Sequence, residues 1–309
     1  MSYAVIDVGS NTIRTLIGYV RGGRLYRLFS DRSITRLASG LKQGGYLKED
    51  NIESSIKVLG RIAEVISRYN VENVIAVGTA ALREAVNAPD FIDRVIKETG
   101  IRIRIISGEE EARLTIRGVL YGLDLSEDAL IVDIGGGSTE WIVYDFNNPD
   151  RSIYGTIPIG VVNLLEGYVK NDPPHPDELK ALEGYSERHI DEIKNKVITK
   201  DIRTLIGTGG SVTTLASIDL SLNRYEPELI HGHRLKRKRL EDMRDLLVTV
   251  PISLRRGIKG LDAERADLII PGIILTIKIM DIYRFDELIV SDYGLLEGLL
   301  SGGKNEKGI

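Results

Sequence analysis

Cysteine is absent from the 309-residue chain, which excludes disulfides, thiolate zinc sites and a cysteine nucleophile and agrees with a reducing cytoplasm. Histidine is scarce. Of four, only His231 and His233 stand close together, and two histidines without carboxylate company do not make a metal site. No apolar run is long enough to cross a bilayer; the greasiest stretch, LIIPGIIL at 268–275, is interrupted by Pro271 and Gly272. The start, MSYA, has neither a basic segment nor a long apolar core and does not read as a signal peptide. Charge of one sign is also missing: 41 Lys and Arg are mixed with 45 Asp and Glu, net −4, so no global field recruits nucleic acid or an anionic membrane. The basic run at 234–244 lacks interleaved aromatics and reads as a solvated face. The expectation is a cytoplasmic protein with no nucleic-acid or membrane partner, capturing any anion at a local site.

What is present is a duplication. The stretch LIVDIGGGSTEWIVYD at 130–145 echoes AVIDVGSNTIRTLIGYV at 4–20, with Asp7 on Asp133, Gly9 on Gly135, Ser10 on Gly136, Asn11 on Gly137, Thr12 on Ser138 and Arg14 on Glu140. In each copy an apolar strand delivers one carboxylate, and small residues then turn the backbone so that amides converge. Converging amides bind phosphate oxygens, and glycine lets the anion approach. Asp7 and Asp133 would repel a phosphate, so they read as ligands, direct or through water, of a hard cation such as Mg²⁺; a carboxylate capping its own turn is the structural alternative for Asp7. Arg14 and Glu140 differ in sign at one repeat position, which suits one pole for phosphate and the other for cation or water. Gly209, Gly210 and Ser211 form a third glycine turn opening a helix, where free N–H groups and the helix dipole favour an anion.

Three strand-like runs open each half: Tyr3 to Val8, Thr12 to Val20 and Arg24 to Arg32, then Ala129 to Ile134, Thr139 to Phe146 and Ser152 to Ile159. Ile52, Ile56, Leu59, Ile62, Ala63 and Ile66 recur with helical spacing. Strand 73–79, helices 81–86 and 90–98 and strand 102–106 complete the first half. The second continues with helix 177–196, strand 204–208, helices near 210–219, 236–248 and 263–282, strand 287–291 and a last helix from Tyr293. The order βββαβαβα, twice, defines an α/β actin-like fold with domains at 1–122 and 123–309, an interdomain cleft, and a C-terminal helix near 293–301 free to pack back on the first domain. Loops beyond the carboxyl ends of the strands are where ligands bind in such sheets.

Seven blocks in this order, DVGSNTIR (7–14), GTAALREAVN (78–87), SGEEEARL (107–114), DIGGGSTE (133–140), PIGVVNLLE (158–166), GTGGSVTTLA (207–216) and SDYGLLEGLL (291–300), resemble the exopolyphosphatase and guanosine pentaphosphate phosphohydrolase family of the actin, sugar kinase and Hsp70 superfamily. That resemblance implies hydrolysis of a terminal phosphoanhydride with Mg²⁺ as cofactor, inorganic polyphosphate as substrate, guanosine pentaphosphate as the alternative, and a homodimer. It implies a short form too, since longer members continue into a further helical domain.

The resemblance also assigns residues. It makes Glu111 the base that activates water, although residue type alone does not rank it above Glu109, suited to the helix dipole, or Glu110, suited to a capping box with Ser107. Glu140 assists Glu111 or the metal, and Asp7 with Asp133 holds Mg²⁺. Arg83 clamps phosphate with its planar fork, a surface ion pair being its structural alternative. Gly9, Ser10, Asn11, Arg14, Gly136, Gly137, Ser138, Gly209, Gly210 and Ser211 complete the expected substrate contacts. Two other classes stay open: a kinase using a small acceptor, and a nucleotide or polyphosphate sensor that needs the amide loops but no base.

Overall fold

A computed structural model describes residues 2–194 and 202–302. The chain divides into two compact units, 1–121 with 293–309 and 122–292. The first unit begins with β1 (Ser2–Val8), β2 (Thr12–Arg21) and β3 (Arg24–Ile34), then α1 (Leu41–Gly44), α2 (Glu49–Arg68), β4 (Val71–Gly78), α3 (Ala80–Glu84), α4 (Ala88–Thr99), β5 (Ile103–Ile105) and α5 (Gly108–Gly122). Its sheet runs β3-β2-β1-β4-β5, antiparallel through the hairpins and parallel from β1 through β4 to β5.

The second unit repeats the plan: β6 (Ala129–Ile134), β7 (Thr139–Tyr144), β8 (Ile153–Ile157), α6 (Val161–Tyr168), α7 (Pro176–Lys194), β9 (Thr204–Thr208), α8 (Gly210–Asp219), α9 (Pro227–Ile230), β10 (Arg234–Lys236), α10 (Arg237–Leu247), α11 (Ile252–Arg255), α12 (Ile269–Tyr283) and β11 (Glu287–Val290). The sheet order β8-β7-β6-β9-β11 reproduces that of the first unit, with β10 added at the edge. A final helix, α13 (Leu295–Gly302), belongs to the first unit.

Period-two alternation explains β1. Ile6 and Val8 enter the core with Leu59 and Phe91, whereas Tyr3 and Val5 face Leu16, Val77 and the α13 leucines. Both sheet faces are therefore covered, as parallel strands require. In α2 the expected helical stripe is buried at Ile52, Ile56, Leu59 and Ile62. Helix α12 is buried almost all round, so the apolar 268–282 segment belongs to the core of the second unit.

Several elements differ from the sequence reading. The 263–282 helix is split: a single 3-10 turn, Ala263–Arg265, precedes α12, because Asp262 caps Glu264 N–H locally. Within the basic 234–244 run, residues 234–236 form β10 and α10 begins at Arg237; Leu235 is buried in the antiparallel pairing with β11 and so departs from a solvated face. Helix α6, within the PIGVVNLLE block, has no counterpart among the expected elements. The last two residues of the expected 177–196 helix lie outside the described residues. Ser107 Oγ accepts the Glu110 N–H at 3.1 Å, but the Glu110 carboxylate turns to Arg104, so the first half of the capping box forms and the carboxylate is drawn into an ion pair instead. Basic side chains of α10 are matched by acids, Arg237 with Glu241 and Arg239 with Asp219.

Helices α5 and α13 touch backbone to backbone. A Cβ on Gly118 would lie 1.9 Å from Gly294 O, and one on Gly298 would lie 1.8 Å from Leu114 O. Neither contact can yield by rotating a side chain. Gly118→Ala and Gly298→Ala are expected to destabilise the first unit by about 1–3 kcal/mol each, read as a lowered midpoint in thermal unfolding; unchanged midpoints would contradict this packing.

Candidate functional site

The duplication holds at the level of hydrogen bonds. In β1/β2 Asp7 lies opposite Arg14, and in β6/β7 Asp133 lies opposite Glu140. Gly9 N–H donates to Thr12 O at 3.0 Å, and Gly135 N–H donates to Ser138 O at 3.0 Å. Gly9 thus uses its own amide to close the turn, leaving those of Ser10 and Asn11 as the loop's candidates for an anion.

In the second unit the loop is clasped from behind. Val161 N–H donates to Gly135 O at 3.0 Å and Val162 N–H to Gly136 O at 2.9 Å, both from the first turn of α6. Asn163 Nδ2 donates to Gly137 O at 2.7 Å. Three successive carbonyls thus point at α6. In a planar trans peptide the carbonyl and the next N–H point in opposite directions, so the amides of Gly136, Gly137 and Ser138 are turned away from α6 as a set. That is an anion-binding concavity. Gly160 is required beneath it, because a Cβ there would meet Gly136 and Gly137 backbone at 2.4 to 2.5 Å. Gly160 and Asn163 are supporting residues beyond those the sequence motifs single out.

The third turn lies against the same loop. Asp133 is paired in register with Thr208 of β9. Gly209 adopts φ +92°, and a Cβ on it would lie 2.6 Å from Asp133 Oδ1; glycine is needed for conformation and for space. Gly209 precedes α8, whose first N–H groups, those of Gly210 and Ser211 included, are its unsatisfied donors. Over Gly210 lies the guanidinium of Arg265, 2.2 to 2.5 Å from where a Cβ would stand. Arg265 is mostly buried. Sequence reasoning misses it, because nothing local marks an arginine 55 residues away as a neighbour of this turn. On β7, Glu140 is 1% exposed and its Oε1 accepts from Ser138 Oγ at 2.7 Å and Thr156 Oγ1 at 3.0 Å.

In the first unit the candidates gather at the carboxyl ends of β1, β4 and β5. Thr79 N–H donates to Val8 O and Ile106 N–H to Gly78 O, so these strand ends lie side by side. Arg14 donates through Nε and Nη2 to Asp7 Oδ2 at 2.9 and 2.7 Å. The other oxygen, Asp7 Oδ1, is buried with no hydrogen-bond partner, and so are both amide atoms of Asn11. Such orphans are destabilising unless something external satisfies them. Thr35 and Arg36 N–H groups donate to Asn11 O, and Ala38 N–H to Ser10 O, holding the loop by its carbonyls as α6 does in the second unit. Arg83 and Glu111, 28 residues apart, meet: Arg83 Nη1 lies 2.6 Å from Glu111 Oε2 and 3.1 Å from Ile106 O. Glu111 is 7% exposed on the first turn of α5.

His231 and His233 serve the framework. His231 bonds Gly122 O through Nε2 and accepts the Asp292 N–H at Nδ1, and His233 bonds Asp219. No cluster of three or more metal-ligating side chains occurs among the described residues.

Residues 16–305 match the model of the Ppx/GppA phosphatase family. The chain belongs to that family, and its fold is actin-like. It is 31% identical to a bifunctional 3-dehydroquinate synthase/phosphatase of Fusobacterium nucleatum, over 98% of this chain and 47% of that one. It is 30% identical to a guanosine-5'-triphosphate,3'-diphosphate pyrophosphatase of Photobacterium profundum, over 96% and 58%. The chain therefore spans about half the length of these relatives. The crystal structure of an exopolyphosphatase from Cytophaga hutchinsonii superposes with a TM-score of 0.90 at 28% identity, covering 99% and 98% of the two chains.

Gly210→Ala should displace the Arg265 guanidinium from the α8 N-terminus. The displacement is expected as a moved Arg265 side chain in a crystal structure of the variant; an unmoved guanidinium would contradict this close contact.

Proposed function

We propose that the chain hydrolyses the terminal phosphoanhydride of linear inorganic polyphosphate by direct attack of water. The observation that carries this reading is the clasp on the Gly135, Gly136 and Gly137 carbonyls, which turns three consecutive amides outward at the end of β6. Phosphoryl transfer asks little covalent chemistry of a protein, so positioning and charge neutralisation suffice. The amides of Gly136 to Ser138, of Ser10 and Asn11, and of the α8 start take phosphate oxygens, with Arg265 adding a planar fork.

Glu111 takes one proton from the attacking water. The water oxygen bonds to the terminal phosphorus, the bridging P–O bond breaks, and its electron pair stays on the oxygen of the shortened chain. Arg83 holds the Glu111 carboxylate at 2.6 Å and fixes its orientation. The hydrogen bonds from Ser138 and Thr156 fix Glu140 in the same way, which suits it to assist the base or a metal-bound water shell.

Mg²⁺ fits the donors present. It takes one or two carboxylates and completes its shell with water and phosphate, and the orphaned Asp7 Oδ1 is an oxygen without a partner of its own. Asp7 in the first unit and Asp133 in the second each offer a carboxylate for such an ion, which when bound would neutralise charge on the phosphates.

Similarity to the Photobacterium pyrophosphatase supports a second substrate, the 5'-triphosphate of guanosine pentaphosphate, cleaved by the same chemistry. A panel from triphosphate through long polyphosphate to guanosine pentaphosphate separates the two: greater turnover of the nucleotide would favour the second. Glu111→Gln should lower kcat by about 10²- to 10⁴-fold with substrate affinity retained. An unchanged rate would reject Glu111 as base, and no phosphate release from the unaltered protein with Mg²⁺ would leave a polyphosphate sensor as the better reading. A homodimer and a cytoplasmic location accompany the proposal.

A further inference from the structure

The side chain that stands out once the phosphate turns are accounted for is Arg255. It is 2% exposed and heads the large fully buried side chains among the described residues. It is not idle. Nη1 donates to Ala266 O at 2.6 Å, and Nη2 donates to Asp172 Oδ1 at 3.0 Å and Val250 O at 2.8 Å. Asp172 in turn accepts the Ile252 N–H at 2.7 Å, closing a ring onto the helix that carries Arg255. Burial pulls the guanidinium pKa below the ordinary arginine value, and Asp172 opposes it. Apolar residues would fill this space at lower cost, so the reason for the charge lies in what it holds.

What it holds is the turn that carries Arg265. Ala266 follows Arg265 directly, and its carbonyl is one of the three acceptors of the buried fork. Within the turn, Asp262 Oδ1 accepts the Glu264 N–H and Arg265 N–H donates to Asp262 O. Its far side, the Arg265 guanidinium, rests on Gly210. A continuous chain of contacts thus runs from the proline-rich turn at Asp172, through Arg255 and Ala266, to Arg265 and the first residue of α8.

We propose that Arg255, anchored by Asp172, is a positioning residue that aims the Arg265 guanidinium at the phosphate turn of α8. The proposal rests on the reading of Arg265 as a substrate contact. Arginine is required at 255 because a planar fork reaches Ala266 O, Val250 O and Asp172 from one rigid plane, whereas an ammonium is a single point that does not span them. The 171–174 turn then has a role as well, since it presents the carboxylate that orients the fork.

The test is a double-mutant cycle on the full chain, with Arg255→Lys, Arg265→Ala and the two combined, measuring kcat and KM for a short polyphosphate together with the thermal midpoint. Arg255→Lys is expected to raise KM about tenfold, the scale of one hydrogen bond to a charged group, with kcat nearly unchanged. In the Arg265→Ala background the same substitution should leave KM within about twofold, because contacts that act as one unit are non-additive. Its effect on the thermal midpoint should be equal in both backgrounds. A KM increase that persists undiminished without Arg265 would overturn the positioning role and reduce Arg255 to a structural pair. Should Arg265→Ala by itself leave KM unaltered, the reading of Arg265 as a substrate contact fails and the proposal with it, a result distinguishable from the first. Asp172→Asn, which keeps the side-chain shape, provides the same cycle if Arg255→Lys does not fold.

Discussion

The planarity of the peptide bond, applied to a loop whose carbonyls are all taken on one side, is the constraint beneath the whole candidate site. Helix α6 directs its first two free N–H groups, and Asn163 its side-chain amide, at Gly135, Gly136 and Gly137. The helix satisfies its own orphan donors by doing so, and the loop has its N–H groups turned the other way without any side chain pushing them. Rigidity follows, because rotating one amide toward its own carbonyl would break a bond on the opposite face. The glycines are the consequence: Gly160 admits the α6 start, and Gly209 admits the next turn against Asp133.

The first unit meets the same demand with different means. Its loop carbonyls at Ser10 and Asn11 are held by the 35–38 segment rather than by a helix, and fewer amides are oriented as a set. What it adds is charge chemistry. The Arg14–Asp7 and Arg83–Glu111 pairs place one carboxylate at the end of β1 and one on the first turn of α5, each with an arginine to fix its orientation. The two turns are thus equivalent in register and differ in charge at one place, where Arg14 lies opposite Asp7 and Glu140 opposite Asp133.

Much of this is legible in the sequence, for a physical reason. Hairpins are local, so the alignment of Asp7 with Asp133 and of Arg14 with Glu140 translates directly into strand register. Local caps are legible too, as with Ser107 at the start of α5. Contacts between distant segments are not. The Arg83–Glu111 pair joins α3 to α5, and Arg265 reaches Gly210 from a turn ahead of α12; composition and periodicity carry no distance information of that kind. Helix α6 is hidden because Val161, Val162 and Leu164 form too short an apolar run to show a period. The start of α12 is masked because Ala263, Glu264, Arg265 and Ala266 are mostly good helix formers, so residue type does not separate a local 3-10 turn from the helix that follows.

The proposed chemistry requires water to supply the oxygen that bonds to the terminal phosphorus of a polyphosphate chain, with the shortened chain as the leaving group. Single-turnover hydrolysis in ¹⁸O-labelled water reads this out at the reacting atom. One solvent oxygen is expected in the released orthophosphate and none in the shortened chain; label in the chain, or phosphate released without solvent oxygen, would contradict direct attack.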